Sequence, residues 1–205
     1  MQANTERRNI RPGLDEASVI RAAADLVDAD GLAALNLAQL AAKLKVKTPS
    51  LYNHISGLDG VRRGLAALGA RALGDSLMRA AVGKSGAEGI GAIADAYRAY
   101  AKEHPGLYAA SLRAPEPGDV ALIAADEQIL AILRAVLAPY HLLGDALTHA
   151  ARALRSLAHG FVSLELAGGF GMPTDLDASY RAAIHMLLTS LERGDWQSGS
   201  ERDPA

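Results

Sequence analysis

The sequence predicts an all-α protein of about nine helices, a three-helix head followed by a larger helical body. Three observations carry this. Apolar residues recur at i, i+3, i+4 and i+7 through most of the chain, and no stretch alternates convincingly as a strand would. Proline and glycine clusters, such as Ala114-Pro115-Glu116-Pro117-Gly118, punctuate the periodic runs. Between Asn36 and His54, two short periodic runs flank a tight turn, the layout of a helix-turn-helix.

Composition narrows the function classes. Half of the 205 residues are hydrophobic, enough for a sizeable core, yet no run of about 18 uncharged apolar residues suggests a membrane span. The stretch Met1 to Arg8 lacks the apolar segment of a secretory signal. With no cysteine there is no disulfide framework, thiolate metal site or thiol nucleophile, and a cytoplasmic location is the simplest expectation. Net charge is −2, unevenly spread. Residues 1–63 carry nine Lys/Arg against seven Asp/Glu, and the remainder twelve against sixteen. The basic excess therefore lies at the helix-turn-helix end, as phosphate contact requires.

In chain order, Arg7 to Pro12 is a basic tail, read equally as an arm for DNA or as an idle terminus. Leu14 to Ala29 is the first helix, with Asp15 as cap, Val19, Ala22, Ala23, Leu26 and Val27 as its stripe, and Gly31 as terminator. Leu37, Leu40, Ala41 and Leu44 form the face of a second helix capped by Asn36. Thr48 as cap and Pro49 at the first helical position open the third. Ser56 caps a long helix over Leu58 to Val82, on the order of 35 Å. It contains Gly60, Gly64, Gly69 and Gly74, each costing about 1 kcal/mol relative to Ala, so either another helix approaches closely there or the element bends.

Ala87 to Glu103 is a helix stopped by His104-Pro105, and a short one covers Leu107 to Leu112. Asp119 to Leu137 follows, closed by Pro139. A helix from Gly144 or Asp145 to Ala167 reads as apolar nearly all round and hence buried on most faces. Asp177 or Ser179 starts the last helix, with Tyr180, Ile184, Leu187, Leu188 and Leu191 in register, and a polar tail expected to be disordered begins at Gly194. The expected division is a helix-turn-helix domain over 1–63 and a ligand-binding and dimerisation domain over 64–205.

At the recognition end, Lys47, Thr48 and Ser50 stand where base edges are reached; Thr and Ser bond several bases, and Lys prefers guanine or phosphate. Asn53 reads adenine only if it faces the groove. For Thr48 the alternative is a cap and nothing more, and for Tyr52 a ring packed on the first helix.

This order of parts resembles the TetR family of bacterial transcriptional regulators. The residues that carry the resemblance are the first helix ending near Gly31, the Ala-rich second helix after Asn36, Val46 before the recognition helix, and Leu51-Tyr52-x-His54 closing it. The match is strongest over residues 14–70; His159-Gly160 followed by Phe170-Gly171 looks like the C-terminal domain of one TetR branch. Lys45 stands where the family usually has glycine, at a cost of order 1 kcal/mol for a left-handed residue. Leu58 stands where the family often has a phosphate-gripping lysine, for which Arg62 or Arg63 is the expected substitute. The resemblance implies phosphate contacts from Tyr52 and His54. The expected DNA-binding set is thus Asn36, Lys47, Thr48, Pro49, Ser50, Tyr52, Asn53 and His54.

The resemblance further implies a homodimer through the last two helices, a palindromic double-stranded operator, and a small-molecule effector that releases it, with no cofactor. The same fold also allows an activator, or a regulator without a ligand. Pocket candidates are polar or aromatic residues in apolar helices: Tyr97, Tyr100, His104, Tyr108, Phe161 and Glu165. Two or three of them are expected to line a cavity, and 4% aromatic content argues against stacked rings in it. Catalysis finds little support. His104, His141, His149, His159 and His185 show no His-x-x-x-His pair, and Gly168-Gly169-Phe170-Gly171 follows a helix rather than a strand.

Overall fold

The structure is a computed structural model and describes residues 14–196. Those residues form nine α-helices and two short 3-10 turns, with no strand among them. The helices are α1 (Glu16–Asp30), α2 (Leu37–Leu44), α3 (Thr48–Leu51), α4 (Gly57–Ala81), α5 (Gly86–Glu103), α6 (Pro105–Ala110), α7 (Val120–Leu137), α8 (Asp145–Leu166) and α9 (Leu176–Glu192). The 3-10 turns, Leu32–Ala34 and Ala138–Tyr140, follow α1 and α7. The Arg7–Pro12 tail lies outside the described residues.

Local chemistry sets the first boundaries. Asp15 opens α1 through a capping box: its Oδ1 accepts from the Ser18 N–H at 2.7 Å, and Ser18 Oγ accepts from the Asp15 N–H at 3.0 Å. Gly31 ends α1 at φ 84°. Asn36 caps α2 as expected, accepting from the Gln39 N–H at 2.9 Å.

Four expectations need correction. Lys47, not Thr48, is the cap of α3; Thr48 already has helical geometry, and no side chain bonds the cap. Ser56 sits at the N-cap of α4 but makes no side-chain bond there. The cap of α9 is Asp175, whose carboxylate accepts from the Asp177 N–H at 2.8 Å, so this helix starts before either expected residue. Trp196, beyond Gly194, packs on the body core and donates its indole N–H to Ser190 Oγ at 2.8 Å. Residues 197–205 of that tail lie outside the described residues.

Apolar faces then assemble into two main clusters. Val19, Ala23, Val27, Leu40, Leu51, Val61 and Leu65 build the head core, together with Leu107 and Ala110 from α6. The body core gathers Leu73 and Leu77 from α4 with Ile90, Tyr97, Val136, Leu154, Val162, Tyr180 and Leu191. The long helix α4 thus joins both clusters. Its glycines mark close approach: a Cβ at Gly69 would lie 2.5 Å from the Leu107 carbonyl oxygen of α6. The second such place is Gly106, where a Cβ would lie 1.9 Å from the Val27 carbonyl oxygen.

Helix α8 differs from its expected all-round burial. Ala150, Ala151, Leu154, Ala158 and Val162 are buried, while Leu164 is 51% and Leu166 46% exposed. Its polar side chains mark the other sides, so one stripe faces the core of this protomer.

Candidate functional site

The helix-turn-helix is built around a left-handed residue. Lys45 adopts φ 57°, ψ 39° after α2. The Lys45 N–H donates to the Ala42 carbonyl at 3.1 Å, and the Val46 N–H to the Ala41 carbonyl at 3.0 Å, a paired closure of the helix end. Leu51 is fully buried and anchors α3. The rest of α3 stays near the surface: Lys47 and Pro49 are exposed, Thr48 and Ser50 half-buried. Those four share the N-terminal end of α3. Tyr52, Asn53 and His54 follow at its other end. They border a polar cleft of about 460 Å³ that Glu16, Arg63 and Asp119 also line. Tyr52 is 59% exposed and lies over Gly57.

Charge around this end is unevenly committed. Lys43 pairs with Asp25 at 3.3 Å and Arg62 with Asp59 at 3.6 Å. Lys45 and Lys47 have no ion-pair partner among the described residues, while Arg63 acts on the Asp119 carboxylate. Leu58 packs its side chain against the head core.

A second site lies in the body. A cavity of about 310 Å³ opens between α4, α5, α6, α7 and α8. Leu73, Leu77, Ile93, Ile129 and Leu133 supply apolar wall. Tyr97 and Tyr108 meet there edge to face, ring centroids 5.6 Å apart at 84°. Their hydroxyls bond each other at 2.9 Å, and Tyr108 Oη lies 2.5 Å from His159 Nδ1. Burial pushes both hydroxyls above the ordinary tyrosine value, so both keep their protons in the array they form with His159. Its direction follows the His159 tautomer.

Comparison with known proteins identifies the family. The chain is 32% identical over 181 residues to the HTH-type transcriptional regulator YobS of Bacillus subtilis, covering 88% of this chain and 94% of that protein. The family model for the tetracyclin repressor-like C-terminal domain matches residues 90–187. The chain is a TetR-family transcriptional regulator. An HTH-type regulator of Mycobacterium tuberculosis is 35% identical over 191 residues, covering 91% of this chain and 86% of the relative. Among solved structures, the regulatory protein SCO4313 superposes with a TM-score of 0.69 at 26% identity, covering 85% of this chain and 95% of that one. A TetR variant from Acinetobacter baumannii AYE in complex with minocycline shares the fold at a TM-score of 0.64 and 23% identity, over 88% of this chain and 97% of that one.

Within the regulator, the six pocket candidates separate. Tyr97 and Tyr108 line the cavity. The other four hold helices together. Tyr100 donates to the Gly69 carbonyl at 3.1 Å. His104 Nδ1 lies 3.0 Å from Asp28 Oδ2, at the junction of α1 and α6. Phe161 stacks with Phe170 and Tyr180 beneath the Arg98 guanidinium. Glu165 accepts from Arg98 Nε at 2.7 Å and from Lys102 at 2.6 Å.

The cavity also holds polar side chains that sequence reasoning missed: Thr148, Arg152 and Arg155 on α8, Asp126 on α7 and Ser111 after α6. A signal was available. Arg152 and Arg155 fall three apart and flank Leu154, between Ala151 and Ala158 of the buried stripe. Reading α8 as uniformly apolar hid them.

Proposed function

We propose that this regulator is a dimeric repressor that binds a palindromic operator and is released by a small molecule held in the body cavity. One observation carries the reading: α6 is shared between the cavity and the anchor of the head. Tyr108 of α6 lines the cavity. Just before it, the Leu107 N–H donates to Asp28 Oδ1 of α1 at 2.7 Å, and Gly106 lies against the Val27 backbone. A ligand that displaces Tyr108 therefore pulls on α1. Displacement shifts operator affinity only if the ligand binds the two arrangements with different free energies. A structural neighbour in complex with minocycline supports a small-molecule ligand for this fold.

In this reading residues 1–63 read DNA and residues 64–205 hold the effector and pair two copies. Pairing runs through α8 and α9, whose Leu164, Leu166 and Met186 are exposed on a single protomer. The protein works without a cofactor, as a non-enzyme, in the cytoplasm; among the described residues no helix is long and apolar enough to cross a membrane.

Selection from random DNA tests the proposal. It is expected to return a two-fold site with half-sites roughly 34–36 Å apart or a related longer spacing. Lys47→Ala should weaken binding to that site and reduce the slope of log affinity against log salt by about 1. Recovery of no two-fold site overturns the proposal. Deletion of the regulator should raise transcripts of its targets; a fall would make it an activator.

A further inference from the structure

We propose that the body cavity takes an aliphatic monocarboxylate, its chain among the leucines and isoleucines and its carboxylate on Arg155 at the mouth. The inference rests on the reading of this cavity as the effector site and names the chemistry of the ligand.

The distribution of wall chemistry argues for an amphiphile. Leu73, Leu77, Ile93, Ile129 and Leu133 make a continuous aliphatic lining. The cationic groups sit together at one side, Arg152 and Arg155, both exposed and three residues apart on α8. Three residues along a helix place two side chains on one face. A ligand with one apolar and one polar end satisfies both regions. At about 310 Å³ the cavity is near the small end of the range for ligand sites, which suits a single slim chain.

Charge argues for an anion. The Arg98 guanidinium, by contrast mostly buried, is committed to Glu165 at 2.7 Å and Asp177 at 2.7 Å. Arg152 has no ion-pair partner among the described residues, and Arg155 acts on the Asp126 carboxyl without closing a salt bridge to it. Arg155 stands beside the Tyr97 hydroxyl and still has guanidinium donors to offer. Its planar fork matches the two oxygens of a carboxylate. Asp126 is the acidic group of the lining, its carboxyl pushed up by burial and held back by Arg155, so two arginines stand against one carboxyl there. An ammonium ligand would face two like charges. It would also find no aromatic cage, because Tyr97 and Tyr108 are turned edge to face on each other and their hydroxyls are engaged.

Aliphatic rather than aromatic follows from the same rings. The apolar part of the lining is otherwise aliphatic, and the two tyrosines present no parallel pair of faces between which a ring could stack.

Three probes of equal chain length, octanoate, octanol and octylamine, test the inference by titration calorimetry on the full-length protein. Octanoate is expected to bind at least about tenfold tighter than octanol, the margin of one charge-assisted hydrogen-bonded contact. Octylamine is expected to bind more weakly than either. Arg155→Gln should bring octanoate down to the octanol level and leave octanol unchanged. Arg152→Gln, at the exposed mouth, is the second variant should the first fail to fold, and should narrow the same ratio. Equal or tighter binding of octanol or octylamine overturns the inference, as does binding of none of the three or a ratio unchanged in the variant that folds. Operator retention measured beside the titrations separates the two readings. Octanoate that binds without releasing DNA leaves the ligand class standing and counts against ligand-released repression.

Discussion

Lys45 shows how a residue departs from expectation and still fulfils its role. The left-handed turn is where the family usually has glycine, and here a lysine adopts it at φ 57° with its charge in solvent. Glu165 shows the reverse: a residue taken for pocket chemistry is an ion-pair hub. The Arg98 guanidinium, helped by Lys102 and opposed by burial, holds its carboxyl down at about 2 against an ordinary 4.5. A folded value below the unfolded one means the contribution to stability is complete above about 4.5 and is lost as pH falls through the window toward 2. Glu165→Gln is therefore expected to lower unfolding free energy near neutrality by roughly 1.5–3 kcal/mol. Urea titrations should show the gap to the native protein closing toward the acid end of that window. A gap that persists unchanged there would mean the carboxylate charge is not what Arg98 needs.

Among elements, α6 has few residues and many obligations. It caps the head core with Leu107 and Ala110, lines the cavity with Tyr108, and presses Gly106 on the α1 backbone. Gly106→Ala would place a Cβ 1.9 Å from the Val27 carbonyl oxygen, a backbone atom that cannot swing aside. The expected cost is about 1–3 kcal/mol of stability, with weakened operator binding in gel shifts. Gly91→Ala is the control, since a Cβ at Gly91 in α5 meets nothing within 4 Å and should be neutral or stabilising. The starts of α1 and α2 and the end of α5 were legible in sequence because caps and breakers act within a few residues. The cap of α3 was not. Thr48-Pro49 fits a cap followed by a first helical proline, yet the turn geometry after Lys45 starts the helix a residue earlier.

At the scale of the whole molecule, one protomer leaves apolar surface uncovered. Leu164, Leu166 and Met186 on α8 and α9 are at least 46% exposed, and Met172 in the loop between these helices is 80% exposed. Single exposed apolar residues are ordinary, but several on two adjacent helices suit a two-fold interface. Met186→Glu, on a position already in solvent, is expected to leave the protomer fold intact by circular dichroism. It should cost about 2 kcal/mol or more of dimer affinity, seen as a shift to monomer in sedimentation and a parallel loss of operator binding. An unchanged dimer would place the interface elsewhere.

The sequence by itself determined the helical class, the order of elements and the reading head, because apolar period, caps and the Leu51-Tyr52-x-His54 spacing are local patterns. The split of the polar residues between pocket and scaffold was decided only in three dimensions. Tyr97 and Tyr100 lie three apart on α5 and look alike in sequence, yet one faces the cavity and the other bonds the Gly69 carbonyl. The same holds for α8, where Arg155 reaches the cavity mouth and Glu165 reaches Arg98. Which face of a helix meets which neighbour depends on packing between elements distant along the chain. That packing turns a row of similar side chains into a wall, a clamp and an anion site.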